Sequence, residues 1–404
     1  MNREAAAKWQ SRPRPVCSAS NNVISAARRR RHLGGLRVVL ASAFCFAVAI
    51  VSVDAATPPV RWDHFVALTP ENSAIGNFPS QKKPILTIQS GATVKFDTGG
   101  GARWSTDKGP DAWLKEHGVD ITAQQTCLAE TIRVLAETPR FAGITNGHLL
   151  VGPVAIQGAE PGDSIEVRIL SVVPRIPYGT VGTMPGRGGI PDKVPRPYTK
   201  VVHLDLERNV GVFEPGVEIP LGPFMGVMGT LPPAEEGPNR RSGPPGRFGG
   251  NLDCKELTTG ATLYLPVFHP GALFFTGDAH AAQGDGEVTV NAIETANTAV
   301  LQFFLHKGKT LKAPRAETST HYLTFGLDPD LDDAMRMAIL ETVAYLEEAR
   351  GWDFFKAFTF SSIGVDFRVT QVVDGTKGIH GMIPKRAFTQ ESKPYWFTSI
   401  AGFR

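Results

Sequence analysis

The sequence predicts a mainly β fold with an α/β C-terminal part: a jelly-roll-like β-sandwich packed on a mixed α+β domain. Three observations carry this expectation. Glycine (42 residues) and proline (31) are frequent enough to supply the many turns that short strands need. Stretches that alternate or run apolar recur along the chain, separated by Gly/Pro-rich turns. Only one long stretch, near the C-terminus, has convincing helical spacing.

The elements follow in order. Residues 1–55 read as a leader, 56–230 as the β-rich N-terminal domain, and 231–404 as further strands with the α+β part. In the leader, Arg28 to Arg31 form a basic end, residues 36–53 are almost wholly apolar, and Val53-Asp54-Ala55 is a small-residue cleavage site. The predicted destination is export, periplasmic or secreted, with mature protein starting near Ala56. The leader's length and adjacent arginines fit twin-arginine export. An uncleaved anchor and an organellar transit peptide are the alternatives.

From Pro84 to Asp97, ILTIQ and TVKFD are two alternating strands around a turn. Residues 99–118 are a Gly- and charge-rich excursion, and Asp120 to Ala136 has helical spacing. Strands are expected at 149–157 and 164–173, joined by the tight turn Gly158 to Asp163. Two long Pro/Gly loops follow, at 174–198 and 231–250. Further strands are predicted at 262–268, 272–276, 287–294, 300–305 and 321–325.

The long helix starts at Asp328-Pro329-Asp330, which supply a cap, a first-turn proline and early acids. It turns Met335, Ile339, Val343 and Leu346 to one face, places Asp332 and Asp333 in its first turn, and ends at Gly351. A second helix is expected over 353–360, and 365–373 reads as helix or strand.

Charge and cysteine content narrow the function classes. Residues 1–55 hold nine basic and two acidic side chains, which leaves 33 basic against 37 acidic in the rest. A mildly acidic body without a basic stripe gives nucleic-acid binding little support. Beyond the export signal nothing points to a membrane. Of the four cysteines only Cys127 and Cys254 lie in the body, where they have the option of one disulfide. No CxxC pair exists, so the sequence reading excludes a thiolate zinc site.

The chemistry concentrates in residues 249–294. Two loops rich in oxygen and imidazole donors, Gly249 to Asp253 and Gly277 to Glu287, flank apolar strands. Asn251 and Asp253 are two apart and share a face in extended backbone, as do Asp278 and His280. These four are the candidate metal ligands. An oxygen-rich set with one imidazole suits a divalent cation: zinc first, calcium or manganese as alternatives. Such a cation activates water and polarises a carbonyl, and a nearby carboxylate moves the proton. Glu287, just past the QGDG turn, is the candidate for that role, with His280 and Glu160 beside it as candidate catalytic residues. The bland readings are that Asp285-Gly286 is a plain turn, that His280 is an interior hydrogen-bonded histidine, and that Glu160 and Asp163 serve their turn.

The runs PILTIQSGATVKFDT, HLLVGPVAIQGAEPGDSIEVRIL, GVMGTLPP, PPGRFGGNLD, ELTTGATLYLPVFHPGALFFTGDAHAAQGDGEV, AIETA and VDFRVTQVVDGTKGIHGMIPK stand in this order. Together they resemble the acetamidase/formamidase family over about residues 62–390. The resemblance implies hydrolysis of a short-chain amide to carboxylate and ammonia, a bound metal (zinc in some members) and a homo-oligomer. It carries over Asn251 and Asp253 (GGNxD), Asp278 and His280 (GDxH), Gln283, Asp285 and Glu287 (QGDGE), Glu160 and Asp163 (GAEPGD), His148, His380 and Lys385. Two departures stand out: Phe248 where many members have a histidine before GGN, and Ile75-Gly76 where an aromatic-Gly pair is common. Two other readings compete with the amidase. One is a non-catalytic β-sandwich that binds a small ligand and uses a structural metal. The other is a hydrolase of a lactam, cyclic imide or ester.

Overall fold

Two large sheets dominate the computed structural model, which describes residues 60–100, 110–119, 125–144 and 146–390. The leader and its cleavage site lie outside the described residues. The nine-stranded sheet runs in the order His64–Val66, Thr93–Asp97, Asn297–His306, Ser164–Pro174, Thr262–Pro266, Arg315–Glu317, His321–Asp328, Lys377–Pro384, Asp366–Gln371. The eleven-stranded sheet runs through Val217–Pro220, Val210–Glu214, Tyr198–Asp205, Tyr178–Thr183, Glu294–Thr295, Phe274–His280, Phe224–Gly229 and Gly249–Asn251. Leu149–Ile156 also pairs with Phe274–His280, and carries Ser73–Ile75 and Leu86–Ile88. The fold is thus mainly β. Both sheets draw strands from either side of the expected boundary at 230/231.

The sheets meet across a shared apolar core. Phe96 and Phe303 of the nine-stranded sheet pack on Phe274 of the other, with ring centroids 6.2 and 5.0 Å from it. Each fully buried phenylalanine contributes roughly 1.5–3 kcal/mol. Phe274 therefore anchors one end of the strand that carries Asp278 and His280 at its other end.

Two strand–turn–strand segments change sheets instead of forming hairpins. Leu86–Ile88 runs parallel to Leu149–Ile156 in one sheet, while Thr93–Asp97 pairs with Asn297–His306 in the other. The turn Gly158 to Asp163 makes the same transfer, because Asp163 is held by Lys307 and the amide of Gly308 beneath the nine-stranded sheet.

The helices confirm the caps and correct the details. One covers Gln125–Glu137. The long helix covers Leu331–Arg350: Asp330 accepts from the amides of Asp332 and Asp333, and Gly351 closes it in the left-handed conformation. Pro329 precedes the helix, and Asp328 ends a strand. Its buried face is built on Ala334, Ala338, Thr342 and Val343, so Met335 and Ile339 sit at the margin. The cause is close approach: a Cβ on Gly326 would lie 2.0 Å from the Ala334 carbonyl oxygen, so only small residues fit beneath. The next helix is Phe354–Gly364, capped by Asp353, and Asp366–Gln371 is a strand. No helix among the described residues is long and apolar enough to cross a membrane.

Two expectations fail. Cys127 and Cys254 are free thiols in separate apolar clusters. Residues 287–293 are not a strand. Glu287 and Val290 have φ of 44° and 66°, in the left-handed region, and residues 288–293 pair with no strand among the described residues. Only Glu294–Thr295 pairs.

Candidate active site

Three adjacent strands build the site. Phe224–Gly229 lies in the middle, with Gly249–Asn251 on one side and Phe274–His280 on the other, both antiparallel to it. Phe224 is in register with His280, and Val227 with Asn251. Buried Asn297 fixes the open end by donating to the carbonyl oxygens of Phe224 and His280, 3.0 Å each. Gly226 sits between the two outer chains, and its carbonyl accepts from the Asp253 amide at 3.2 Å.

A Cβ on Gly226 would lie 2.5 Å from Asp253 Oδ1, 2.7 Å from Asp278 Oδ2 and 2.9 Å from His280 Cε1. These three side chains therefore converge over a bare Cα. Around the His280 ring, Nδ1 is 3.8 Å from Asp253 Oδ1, and Nε2 is 3.4 Å from both Asp278 Oδ2 and Glu294 Oε1. Glu287 joins Asp253 and His280 in a group whose donor atoms all lie within 4.8 Å, and Asp278, His280 and Glu294 form a second such group. Asp374 completes the cluster by accepting from Asn251 Nδ2 at 3.0 Å, and His148 Nε2 lies 3.8 Å from Asp278.

The loops are held by main-chain contacts. The Gly286 amide donates to Thr370 O and its carbonyl accepts from the Val372 amide, which docks the Glu287 loop on the strand Asp366–Gln371. Gln283 Nε2 donates to Asp253 O at 2.6 Å. Asp253, Asp278 and Glu287 all have positive φ, at 47°, 57° and 44°. Such backbone costs roughly 1–3 kcal/mol per residue and gathers where the surroundings over-determine it, functional sites above all.

Burial governs the electrostatics. Asp253 and His280 are 1% exposed and Glu287 7%. Burial raises the proton affinity of Asp253, and the charges of Glu287, Asp374 and Asp278 raise it further. Burial likewise pushes Glu287 well above the usual carboxylate range, with His280 opposing and Asp374 and Glu294 reinforcing. Asp278 is the exception: burial pushes it up, but the neighbouring imidazoles of His148 and His280 hold it far down. For His280, burial disfavours the charge, yet Glu294 and Asp278 win and raise its proton affinity. Five carboxylates around two imidazoles must take up protons or a cation.

The donor set fits a cation. Among the described residues, Asn251 Oδ1, Asp253 Oδ1 and both ring nitrogens of His280 are buried without a hydrogen-bond partner. Polar atoms are rarely left so in a folded interior.

Of the residues singled out in the sequence, Asn251, Asp253, Asp278, His280 and Glu287 come together. Glu160 does not: it is exposed in its turn, where Asp163 accepts from its amide at 2.8 Å. Asp285 pairs with Lys255 at 2.8 Å, and Lys385 with Glu317 at 2.9 Å. Phe248 packs edge-on to Phe78, 5.2 Å between centroids, in an apolar cluster, with the Arg240 guanidinium 5.7 Å from its ring centroid. Gly226, Glu294 and Asp374 went unassigned in the sequence. Their one local signal is their place inside the GVMG, AIETA and VVDG runs.

The chain is similar to known proteins in sequence and in fold. Residues 135–242 and 234–390 match the Acetamidase/Formamidase family. A formamidase of Methylophilus methylotrophus is 28% identical over 286 residues, 53% of this chain and 70% of that protein. An acetamidase structure from Bacillus halodurans matches with a TM-score of 0.66 and 28% identity, covering 80% of this chain and 98% of its own. An acetamidase structure from Yersinia enterocolitica matches with a TM-score of 0.66 and 27% identity, covering 84% and 96%. Matched over more than half its length, the chain belongs to the acetamidase/formamidase family.

Proposed function

We propose that the chain hydrolyses a short linear amide to carboxylate and ammonia. The observation that carries this reading is the convergence of Asp253, Asp278, His280 and Glu287 over Gly226, in a chain of an amidase family. The enclosure of these groups favours a small substrate.

The residues that would hold a divalent cation are Asp278, Glu294 and His280 through Nε2, with Asp253 facing the Nδ1 side of the same imidazole. Three carboxylates and one imidazole suit zinc, manganese or calcium, zinc being the first choice. Once bound, the cation polarises the amide carbonyl and lowers the pKa of water towards about 7. Glu287 takes the proton from the attacking water and returns it to the leaving nitrogen. Its burial supports this role, because desolvation raises a carboxylate's affinity for the proton it must take from water. Asp278, kept ionised by His148 and His280, holds the imidazole in place.

Two further readings belong to the same proposal. The leader directs export. The chain forms a homo-oligomer, which the apolar surface of the helix Phe354–Gly364 supports: Phe355 is 78% and Ile363 83% exposed. The test is hydrolysis of a panel of formamide, acetamide, longer amides, a lactam and an ester, before and after chelation, read as ammonia release for the amides and as the ring-opened amino acid or the freed alcohol for the lactam and the ester. Cleavage confined to the lactam or ester would move the chain to the rival hydrolase reading, and no turnover on any member would favour a binding protein.

A further inference from the structure

A second group of metal-ligating side chains lies next to the first and takes no part in the chemistry above. Cys254 follows Asp253 in the chain, and its Sγ lies 3.4 Å from Glu256 Oε2. His380, in the strand Lys377–Pro384, brings Nε2 to 3.4 Å from that same oxygen. The sulfur, the carboxylate oxygen and the ring nitrogen all lie within 4.8 Å of one another. Glu256 Oε1 is occupied on its other side, 3.4 Å from Arg368 Nη1.

The imidazole is oriented as a ligand's would be. Its Nδ1 is 2.7 Å from Thr370 Oγ1, and Nε2 has no hydrogen-bond partner although the side chain is 0% exposed. With Nδ1–H donating to the hydroxyl, the Nε2 lone pair faces the sulfur and the carboxylate. Cys254 is also fully enclosed, at 1% exposure, which is unhelpful for a nucleophile but no obstacle to a ligand.

We propose that Cys254, Glu256 and His380 form a second cation site, separate from the carboxylate cluster, that takes a borderline-soft divalent ion of the zinc class. A thiolate and an imidazole select such an ion over calcium or magnesium, whereas the first site is built almost wholly of oxygen. Binding exchanges the thiol proton for the ion: the sulfur–hydrogen bond breaks, a sulfur–metal bond forms, and the proton leaves to solvent. No CxxC pair is needed, because the histidine arrives from a distant strand. The ion would brace both active-site loops at once. Asp253 is the residue before Cys254, and Thr370, which holds His380, also receives the Gly286 amide that docks the Glu287 loop.

The test is the absorption spectrum of the full-length protein loaded with cobalt(II). The expected result is a thiolate-to-cobalt charge-transfer band in the near ultraviolet. It disappears in Cys254→Ser, persists in Asp253→Asn, and needs at least about 10-fold more cobalt in His380→Gln. A variant with Cys17, Cys45 and Cys127 all changed to Ser keeps the band, a check that does not require Cys254→Ser to fold. A cobalt-loaded wild type without a thiolate band would overturn the proposal, as would a band that survives in Cys254→Ser or vanishes in the triple variant.

Discussion

Replacing Gly226 by alanine adds one methyl group at the centre of the candidate site. The new carbon would stand 2.5 Å from Asp253 Oδ1, 2.7 Å from Asp278 Oδ2 and 2.9 Å from His280 Cε1, all inside van der Waals contact. Gly226 has no positive φ, so alanine meets no backbone penalty there. The overlap must be relieved by moving the two carboxylates, whose short side chains stand on buried left-handed backbone. Overpacking of this kind costs about 1–3 kcal/mol in stability. Shifts approaching 1 Å in groups that position a reaction cost about 10²-fold in rate. Gly226→Ala should therefore fold, melt a few degrees lower, and lose about 10²-fold of amide turnover together with metal affinity. Gly222→Ala in the same region is the control, since its Cβ would meet only Thr258 Cγ2 at an ordinary 3.7 Å. The assay is ammonia release, paired with thermal unfolding and metal analysis. Wild-type turnover in Gly226→Ala would refute the reasoning, because the three converging side chains would then not be the reacting site.

Three other outcomes can be measured, two resting on the structure and one on the sequence. Asp253→Ala and His280→Ala should each lower bound metal at the carboxylate cluster by about 10-fold or more, and full occupancy in both would remove them as ligands. In chelator-treated protein, Glu256 gives a pH signature. Burial pushes its carboxyl up, but the neighbouring His380, 3.4 Å away, outweighs that and holds it at about 2, against an ordinary 4.5. Its ionised form stabilises the fold by up to about 3 kcal/mol above pH 4.5, and that contribution is lost as pH falls through about 2. The stability gap between wild type and Glu256→Gln, from urea titrations, should narrow between about pH 6 and about pH 3, and a constant gap would contradict the assignment. N-terminal sequencing of protein from its native host should begin near Ala56, and an intact leader would count against export.

The strands were legible because alternation reports local burial, and the long helix because Asp330 and Gly351 are local caps. Pairing partners were not legible. ILTIQ and TVKFD look like a hairpin, yet each finds its partner far along the chain, in a different sheet. The segment 287–294 alternates as a strand should, but the docking of Gly286 on Thr370 and Val372 imposes turns that override the pattern. Val343 and Leu346 are buried as expected, but in the first half of the helix Ala334 and Ala338 replace Met335 and Ile339 on the buried face, because Gly326 on the neighbouring strand packs closest there. In the site, Asp278 does stand beside His280, but on left-handed backbone and not through the extended two-residue spacing the sequence suggested. Gly226 was invisible, because what it contributes is the absence of a side chain. Asp374 and Glu294 reach the cluster only through long-range pairing, and the same is true of His380 beside Cys254.

The central claim is that Glu287 moves the proton in amide hydrolysis. The most direct test is ammonia release by Glu287→Gln, measured beside its metal content and melting temperature. Glutamine keeps the size and hydrogen bonding of the side chain but cannot accept the proton. Turnover should fall by about 10²–10⁴-fold with metal and stability nearly unchanged. Wild-type turnover would contradict the account, and loss of metal together with activity would make Glu287 a ligand instead of the base.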